Sequence, residues 1–283
     1  MQIVCKSCIT PEQIEARRHL NIPYELQLYN DFKTSSVSEL VSVVKQSGVD
    51  VLLVHSPLFA DGAGNIEYLK GLRVREGIEN TLALAGELSE YFKHKITVVL
   101  HLGVSSVLVC ATDMYQVISD LLFCYLRKYP LLDVAFENVM PFDKGRFYAN
   151  VFDESLYFID QLNAEFYCAE KRIGTVLDVC HAIGTIRAIK AISGDCRLTV
   201  DDYFEVNMRY VKAVHLADCN GMGYNREDHG VPFKEKSEMM EYMNSYYKWA
   251  YSCPIVIEVR EEDYLNPTNL INNYNMLKEV IGI

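Results

Sequence analysis

The sequence lacks any apolar run long enough to cross a membrane. Its longest runs, such as Val51–Val54 and Ile96–Leu100, stop far short of the ~20 residues that a helical span needs. The first residues, Met1-Gln-Ile-Val-Cys-Lys, also lack the charged-then-apolar pattern of a secretory signal. We therefore expect a cytoplasmic protein with no membrane partner.

Positive charge is scarce, because 27 Lys and Arg stand against 38 Asp and Glu, for a formal net charge of −11. This balance disfavours a protein that coats nucleic acid non-specifically, although it allows a local basic rim around a cleft. Arg73, Arg75, Lys144 and Arg146 are candidates for phosphate contacts. A solvated helix start and a loop charge pair explain these four residues more simply.

Disulfide and nucleotide signatures are missing as well. The nine cysteines are an odd number without framework spacing, which indicates reduced thiols. Cys5 and Cys8 form one C-x-x-C motif, but no second pair completes a zinc site. No Gly-rich dinucleotide fingerprint follows the first strand-like run, and no Pro/Gly/Ser-rich linker or repeat divides the chain. Residues 1–283 are expected to form a single domain.

The sequence does contain a regular alternation of short β-branched runs and longer amphipathic stretches. The strand-like runs are Gln2–Cys5, Tyr24–Leu28, Asp50–His55, Ile96–His101, Asp133–Glu137, Gly174–Asp178, Val211–Leu216 and Pro254–Glu258. The helical stretches are Pro11–Leu20, Ser36–Gln46, Arg73–Phe92, Ala111–Lys128, Asp153–Ala164, Val200–Asn207, Glu235–Tyr247 and Pro267–Val280. Nearly continuous apolar strands followed by helices indicate a parallel sheet covered by helices. The predicted fold is α/β, a single (β/α)8 TIM barrel.

Side chains that can bind metal stand where the apolar runs end. The carboxyl ends of barrel strands meet at one rim, which is where this fold carries its active sites. One histidine alone, such as His55, would more simply be a hydrogen-bonded structural residue. A whole set at one rim favours a metal, because carboxylates facing each other in a barrel mouth repel without a cation. The set is His55, His101, Glu137, Asp178, His181, His215 and Glu258, with Glu227, Asp228 and His229 after the seventh strand.

The ligand types narrow the choice of metal. Imidazole and carboxylate without thiolate suit Zn²⁺, Mn²⁺, Co²⁺ or Fe²⁺ better than Ca²⁺ or an iron–sulfur cluster. Cys180 lies between Asp178 and His181. On an extended strand its side chain would point to the opposite face, so we interpret it as a packing residue.

These strand-end segments resemble the xylose-isomerase-like TIM barrels, which include sugar-phosphate isomerases and epimerases and endonuclease IV, the family-2 AP endonucleases. The resemblance covers essentially the whole chain in order. It implies that Glu137, Asp178, His215 and Glu258 form a central metal site. The matching segments are Val-Leu-His101-Leu-Gly, Ala-Phe-Glu137-Asn138, Leu-Asp178-Val-Cys-His181-Ala, Val-His215-Leu-Ala-Asp218, Asp228-His229-Gly-Val-Pro and Pro-Ile-Val-Ile-Glu258.

The epimerase branch implies that Glu137 and Glu258 bind one metal and also shuttle a proton on opposite faces of a substrate carbon. The metal would polarise a carbonyl and acidify the adjacent C–H bond. His181 would contact the substrate or a further metal. With the acidic net charge, this favours a metal-dependent isomerase or epimerase acting on a sugar or sugar phosphate, with one Zn, Mn or Co ion and Glu137, Glu258 and His181 as catalytic residues.

The endonuclease IV branch implies up to three ions. His55 and His101 match the ligands of its first zinc, with Glu137 bridging to the central site. His181, His229 and an acid just before His229 match its third zinc site. Such a cluster would clamp a phosphodiester and generate hydroxide for in-line attack. A zinc phosphodiesterase acting at abasic sites in DNA is therefore the alternative function.

The chain departs from endonuclease IV in several places. Glu227 stands where that enzyme has an aspartate, with Asp228 adjacent, so the sequence leaves open which of the two acids binds metal. The Glu-Asn-Thr-Ala-Gly segment is Glu137-Asn-Val-Met-Pro here. No basic, aromatic-interleaved loops for gripping duplex DNA are evident. A barrel that only binds a partner would be marked by lost metal ligands, and almost none are lost.

Overall fold

A computed structural model of the chain describes residues 1–28, 35–57, 72–101, 114–139, 152–166, 172–221 and 228–283. In this part of the chain, eight parallel strands close into a barrel, in which the first strand pairs with the eighth. The predicted (β/α)8 TIM barrel is confirmed. The strands are β1 (Ile3–Cys8), β2 (Tyr24–Gln27), β3 (Val51–His55), β4 (Ile96–His101), β5 (Leu132–Glu137), β6 (Ile173–Asp178), β7 (Val211–Leu216) and β8 (Ile255–Ile257).

The α-helices of the described residues surround this barrel. The first is extended by a 3-10 turn, Arg18–Leu20. Local signals set several helix starts. Thr10 caps the first helix through a 3.3 Å hydrogen bond from the Gln13 backbone N–H, and Ser36 forms a capping box with Glu39. The helices are α1 (Pro11–Arg17), α2 (Val37–Ser47), α3 (Leu72–Phe92), α4 (Met114–Lys128), α5 (Phe152–Phe166), α6 (Val179–Ser193), α7 (Val200–Asn207), α8 (Lys236–Trp249) and α9 (Thr268–Ile281).

Helix α6 is the one described helix that the sequence pattern did not predict. Its first seven residues are all buried, so it lacks the one-sided apolar stripe by which a surface helix is recognised. Cys180 was placed on an extended strand, and that premise was wrong because Cys180 lies in the first turn of α6. Its sulfur is buried and accepts a 3.4 Å hydrogen bond from the Gly230 N–H, which agrees with a packing role.

The barrel interior is built in layers, and its lower layer is apolar. This apolar floor forms a buried cluster separate from the larger core between strands and helices. Side chains facing the interior recur every second residue along a strand, so the next layer lies two positions further along each strand. Every one of those positions is polar here. The floor consists of Val4, Leu53, Val99, Ala135, Val176, Ala213 and Val256, and the positions above it are Lys6, His55, His101, Glu137, Asp178, His215 and Glu258.

The outward faces of the strands pack against the helices. Leu26, Val54 and Leu100 are almost completely buried there, together with Leu82 and Leu122 from the helices. This outer core is continuous around the barrel and fixes the register in which the interior layers stack. None of the helices in the described ranges combines the length and apolar character needed to cross a bilayer.

Candidate metal centre

The polar layer above the floor is deeply buried. His215 is 0% exposed, Asp178 and His55 1%, and Glu137 3%. Ionisable groups at this depth must be paired or must bind an ion. The layer is completed from outside the strands by His181 in the first turn of α6 and by His229.

The ligand atoms of this layer fall into three groups, in each of which they lie within 4.8 Å of one another. Two carboxylates, Glu137 and Asp178, belong to two groups each. We name the groups by position. They are the His55 group (His55, His101, Glu137), the central group (Glu137, Asp178, His215, Glu258) and the His229 group (Asp178, His181, His229).

Glu137 divides its two oxygens between groups. Its Oε2 atom lies 2.9 Å from Nε2 of His55 and 3.3 Å from Nε2 of His101. Its Oε1 atom lies 3.2 Å from Nδ1 of His181 and 3.5 Å from Nδ1 of His215. A carboxylate in this position is suited to bridge two ions, one through each oxygen.

Asp178 joins the other two groups through a single oxygen. Its Oδ1 atom accepts a 2.6 Å hydrogen bond from the His181 backbone N–H and so caps α6. Its Oδ2 atom lies 3.7 to 3.9 Å from nitrogens of His181, His215 and His229. Asn138 fixes the backbone here, because its side chain pairs with both the N–H and the carbonyl of Asp178.

Each of three histidines has one ring nitrogen committed to an acceptor outside the groups. Nδ1 of His55 lies 2.8 Å from the Ser56 carbonyl, and Nε2 of His215 lies 2.8 Å from the Glu25 carboxylate. Nδ1 of His181 lies 2.6 Å from the Asn138 carbonyl. These acceptors require a proton on that nitrogen. In His55 and His215 the other nitrogen then has a lone pair directed at the groups, toward Glu137 and Glu258 respectively.

In this protonation state, the unprotonated nitrogens of His55 and His215 face carboxylate oxygens, so that two hydrogen-bond acceptors meet. Nε2 of His55 is 2.9 Å from Glu137, and Nδ1 of His215 is 2.5 Å from Oε2 of Glu258. Two lone pairs at such distances need a proton or a metal ion between them. Among the described residues, buried polar atoms without a hydrogen-bond partner include His101 Nε2, Glu137 Oε1, His215 Nδ1 and Glu258 Oε2. The donor set, imidazole and carboxylate, fits Zn²⁺, Mn²⁺ or Co²⁺.

The electrostatics of the layer agree with this fit. Burial, together with the charges of Glu137 and Glu258, raises the pKa of Asp178 to about 7. Burial lowers the pKa of His181, but the Asp178 and Glu137 charges outweigh it and raise that pKa to about 9. Burial and the neighbouring His181 lower the pKa of His229 to about 3. Without an ion, the layer therefore retains protons that neutralise its carboxylates.

Most of the residues that the sequence singled out lie in this layer, but the acids before His229 need separate treatment. Asp228 belongs to none of the three groups. Its carboxylate is turned to the backbone of Gly221, 3.0 Å from where a Cβ would stand, and its carbonyl accepts a 3.0 Å hydrogen bond from the Asn220 N–H. Glu227 lies outside the described residues.

Of the four candidate phosphate-contact residues, only Arg75 has a described side chain, and it does not lie in the polar layer. Arg75 is exposed on α3 and pairs with Glu79 at 2.8 Å, which agrees with the simpler interpretation of a solvated helix start. Lys144, Arg146 and the side chain of Arg73 lie outside the described residues.

Sequence reasoning missed two charged residues of the site, Lys6 on β1 and Glu25 on β2. Lys6 Nζ lies 2.6 Å from Glu258 Oε1 and 3.1 Å from Glu25 Oε1. Glu25 is 0% exposed. A usable signal was present only for Glu25, which lies inside the predicted run Tyr24–Leu28, whereas Lys6 follows the predicted run Gln2–Cys5.

A cavity of about 150 Å³ opens beside the central group, between β1, β8 and α1. Lys6, Gln27, His229 and Glu258 are among the residues that line it. Arg260 and Tyr264 also line it. A small polar group could reach the metal ligands through this space.

No known protein-family profile matches the chain, and no curated protein matches it. Solved structures do share its fold. A D-tagatose 3-epimerase-like protein is 17% identical with a TM-score of 0.63, over 100% of this chain and 97% of the other. An AP endonuclease, family 2, from Brucella melitensis is 12% identical with a TM-score of 0.62, over 97% and 99%. A putative xylose isomerase from Rhodospirillum rubrum is 14% identical with a TM-score of 0.60, over 99% of each chain. The fold implied by the sequence resemblance is confirmed, while the reaction is not decided by likeness at these identities.

Proposed function

We propose that this chain is a phosphodiester hydrolase with a centre for three divalent ions, acting at abasic sites in DNA. The observation that carries the proposal is the division of Glu137 between two ligand groups. A carboxylate that bridges two sites is expected of a multi-ion hydrolase, where ions a few ångströms apart act on one phosphate. We choose abasic DNA as the substrate class because an AP endonuclease from Brucella melitensis shares the fold.

The chain's own residues define what each site would do. His55 and His101 would hold one ion against Oε2 of Glu137, while His215 and Glu258 would hold a second against Oε1. Bound divalent ions supply positive charge for phosphate oxygens and lower the pKa of water. The apolar floor beneath the layer excludes solvent from below. The cavity beside Glu258 offers a phosphate one route to the layer.

A sugar or sugar-phosphate isomerase or epimerase, the function that the sequence ranks first, is the second candidate. Glu137 and Glu258 both belong to the central group, and the D-tagatose 3-epimerase-like structure shares the fold. Proton shuttling, however, needs a carboxylate oxygen free to reach the substrate carbon. Both oxygens of Glu137 lie within 3.5 Å of histidine nitrogens, and those of Glu258 lie within 2.6 Å of Lys6 and His215. The geometry thus supports the hydrolase better.

Metal content and cleavage together test this proposal. Protein purified without chelator is analysed for ions per chain and assayed on a duplex with one abasic site and on a sugar and sugar-phosphate panel. We expect three ions and strand cleavage. His55→Ala should lose one ion and at least a hundredfold of the cleavage rate. Its control is His94→Ala, a partly exposed histidine that pairs with Asp50 at 2.8 Å, and this variant should behave as wild type.

Two results would contradict the hydrolase. Full cleavage by the His55→Ala protein would show that the His55 group is not needed. One ion per chain with epimerisation of a sugar, unaffected by His55→Ala, would establish the second candidate instead.

A further inference from the structure

Four residues form a closed ring of polar contacts at the edge of the central group. Lys6 Nζ contacts one oxygen of each glutamate, Oε1 of Glu25 at 3.1 Å and Oε1 of Glu258 at 2.6 Å. The remaining oxygens contact opposite nitrogens of His215. Oε2 of Glu25 is 2.8 Å from Nε2, and Oε2 of Glu258 is 2.5 Å from Nδ1. Two of the four, His215 and Glu258, are proposed metal ligands, while Lys6 and Glu25 are not.

Strand register puts the ring together. Lys6 pairs with Glu25 across β1 and β2, and Cys5 pairs with Ile257 across β1 and β8, so Lys6 stands beside Glu258. Glu25 pairs with Leu53, which places it at the level of the apolar floor. It is the one charged residue at that level among the inward-facing residues that the structure describes.

The buried Lys6–Glu25 pair is not expected to contribute much to the stability of the barrel. Desolvating two charges costs about as much as their attraction returns, and an apolar pair of similar volume is often as stable or more so. The barrel floor elsewhere is apolar, with valine, leucine and alanine. The Lys6–Glu25 pair therefore needs an explanation other than stability, and its contacts point to His215 and Glu258.

Glu25 decides which nitrogen of His215 faces the central group. A carboxylate can only accept, so Nε2 must carry the ring proton. The Lys6 ammonium lies 3.1 Å from Oε1 of Glu25 and balances the charge of this carboxylate. Nδ1 then presents its lone pair toward Glu137 Oε1 and Asp178 Oδ2, at 3.5 and 3.8 Å.

Lys6 decides which oxygen of Glu258 is left for the central group. With Oε1 held at 2.6 Å, the carboxylate cannot rotate, and only Oε2 faces His215. Lys6 also supplies the positive charge that lets Glu25 remain ionised in the floor.

We propose that Lys6 and Glu25 are positioning residues of the central metal site. Glu25 fixes the tautomer and orientation of His215, and Lys6 fixes which oxygen of Glu258 faces the central group and compensates the buried charge of Glu25. This inference rests on the proposed metal centre but not on the reaction catalysed there. Partners of this kind behind metal ligands contribute 10- to 100-fold in metal affinity.

The test measures metal binding rather than turnover. Lys6→Met, Lys6→Arg and Glu25→Gln are loaded with Co²⁺, titrated by visible absorption and competed with a chelator, and their apo-proteins are melted to verify folding. Lys212→Met is the matched control. Lys212 is also a strand lysine paired with a buried acid, Asp133, at 2.9 Å, and that acid belongs to none of the three ligand groups.

We expect Lys6→Met and Glu25→Gln to weaken one Co²⁺ site 10- to 100-fold and to change its absorption band. Lys6→Arg should recover most of the affinity, because a guanidinium can bridge two carboxylates and the adjacent cavity of about 150 Å³ leaves room for it. Lys212→Met should bind Co²⁺ as wild type does.

Two results would overturn the inference. One is wild-type affinity and spectrum for Lys6→Met and Glu25→Gln on a wild-type chain that binds Co²⁺. The other is a wild-type chain that binds no Co²⁺. An inactive enzyme whose central site still weakens in these variants would refute the proposed phosphodiesterase alone.

Discussion

Replacing Asp178 by asparagine should stabilise the metal-free chain at neutral pH and destabilise the metal-loaded one. Asp178 is 1% exposed and lies in the layer with Glu137 and Glu258. Burial and those two charges raise its pKa from 3.8 to about 7. Asparagine removes the titrating charge but keeps an oxygen that can cap α6, since Asn and Asp are equivalent N-caps.

The sign and size of this change in the free energy of unfolding follow from the linkage between protonation and folding. Because the folded-state pKa is raised, the folded state binds more protons at Asp178 than the unfolded state, so the contribution of Asp178 to stability falls as pH rises from about 4 to about 7 and is constant above. A shift of about three pKa units corresponds to at most about 4 kcal/mol. For a chain of this length, that is a Tm difference of up to about 7 °C.

The assay is thermal unfolding in chelator from pH 4 to 9, repeated with saturating Zn²⁺. In chelator, Asp178→Asn should match wild type near pH 4 and melt higher above pH 7. With Zn²⁺, wild type should gain stability because the ion binds only the folded state, and the variant should gain much less.

Asp133→Asn is the control for this prediction. Asp133 is also a buried strand aspartate, 3% exposed, but it is paired with Lys212 at 2.9 Å and Arg172 at 3.7 Å. Neutralising it should lower stability by about 1–3 kcal/mol with or without Zn²⁺. If Asp178→Asn destabilises the metal-free chain at pH 8 as Asp133→Asn does, the claim that the layer is over-charged without an ion is refuted.

Three further outcomes are expected. Glu137→Gln should abolish turnover in either enzyme interpretation, because it removes the charge shared by two ligand groups; unchanged rates on abasic duplex and on sugars would exclude both. Chelator treatment of the wild-type protein should lower its stability by about 3 kcal/mol relative to protein in a hundredfold excess of ion over Kd, measured by urea unfolding, and an unchanged midpoint would argue against any ion bound to the folded chain. Gly174→Ala should destabilise the barrel by about 1–3 kcal/mol, since its Cβ would stand 2.2 Å from the Tyr210 carbonyl oxygen; the same midpoint as wild type would mean that β6 and β7 can separate at no cost.

Much of the fold could be read from the chain. The eight strands lie within three residues of their predicted bounds at each end, because buried parallel strands are apolar on both faces and contrast with the helices between them. Helix α6 was not predicted because its start lacks this contrast between apolar and polar positions. It is buried all round at its start, so its sequence shows no helical periodicity there, and the apolar pattern continues that of β6.

The identity of the ligand candidates was also present in the sequence, since polar residues at the ends of apolar strands stand out one by one. Their relation to each other was not. That Glu137 gives one oxygen to His55 and the other to His215 depends on residues 82 and 78 positions away, brought together by barrel closure. The same closure separates the adjacent acid Asp228 from the groups and turns it toward Gly221.

The sequence by itself determined the architecture and the chemical character of the rim, because hydrophobic period and residue type are local properties. Only the tertiary structure decided the roles of Lys6 and Glu25. A charged residue within a short strand run gives the same sequence pattern whether its side chain faces solvent or the barrel interior. The register of β1 with β2 and β8 turns both charges inward, and there burial makes each one depend on the other and on His215 and Glu258.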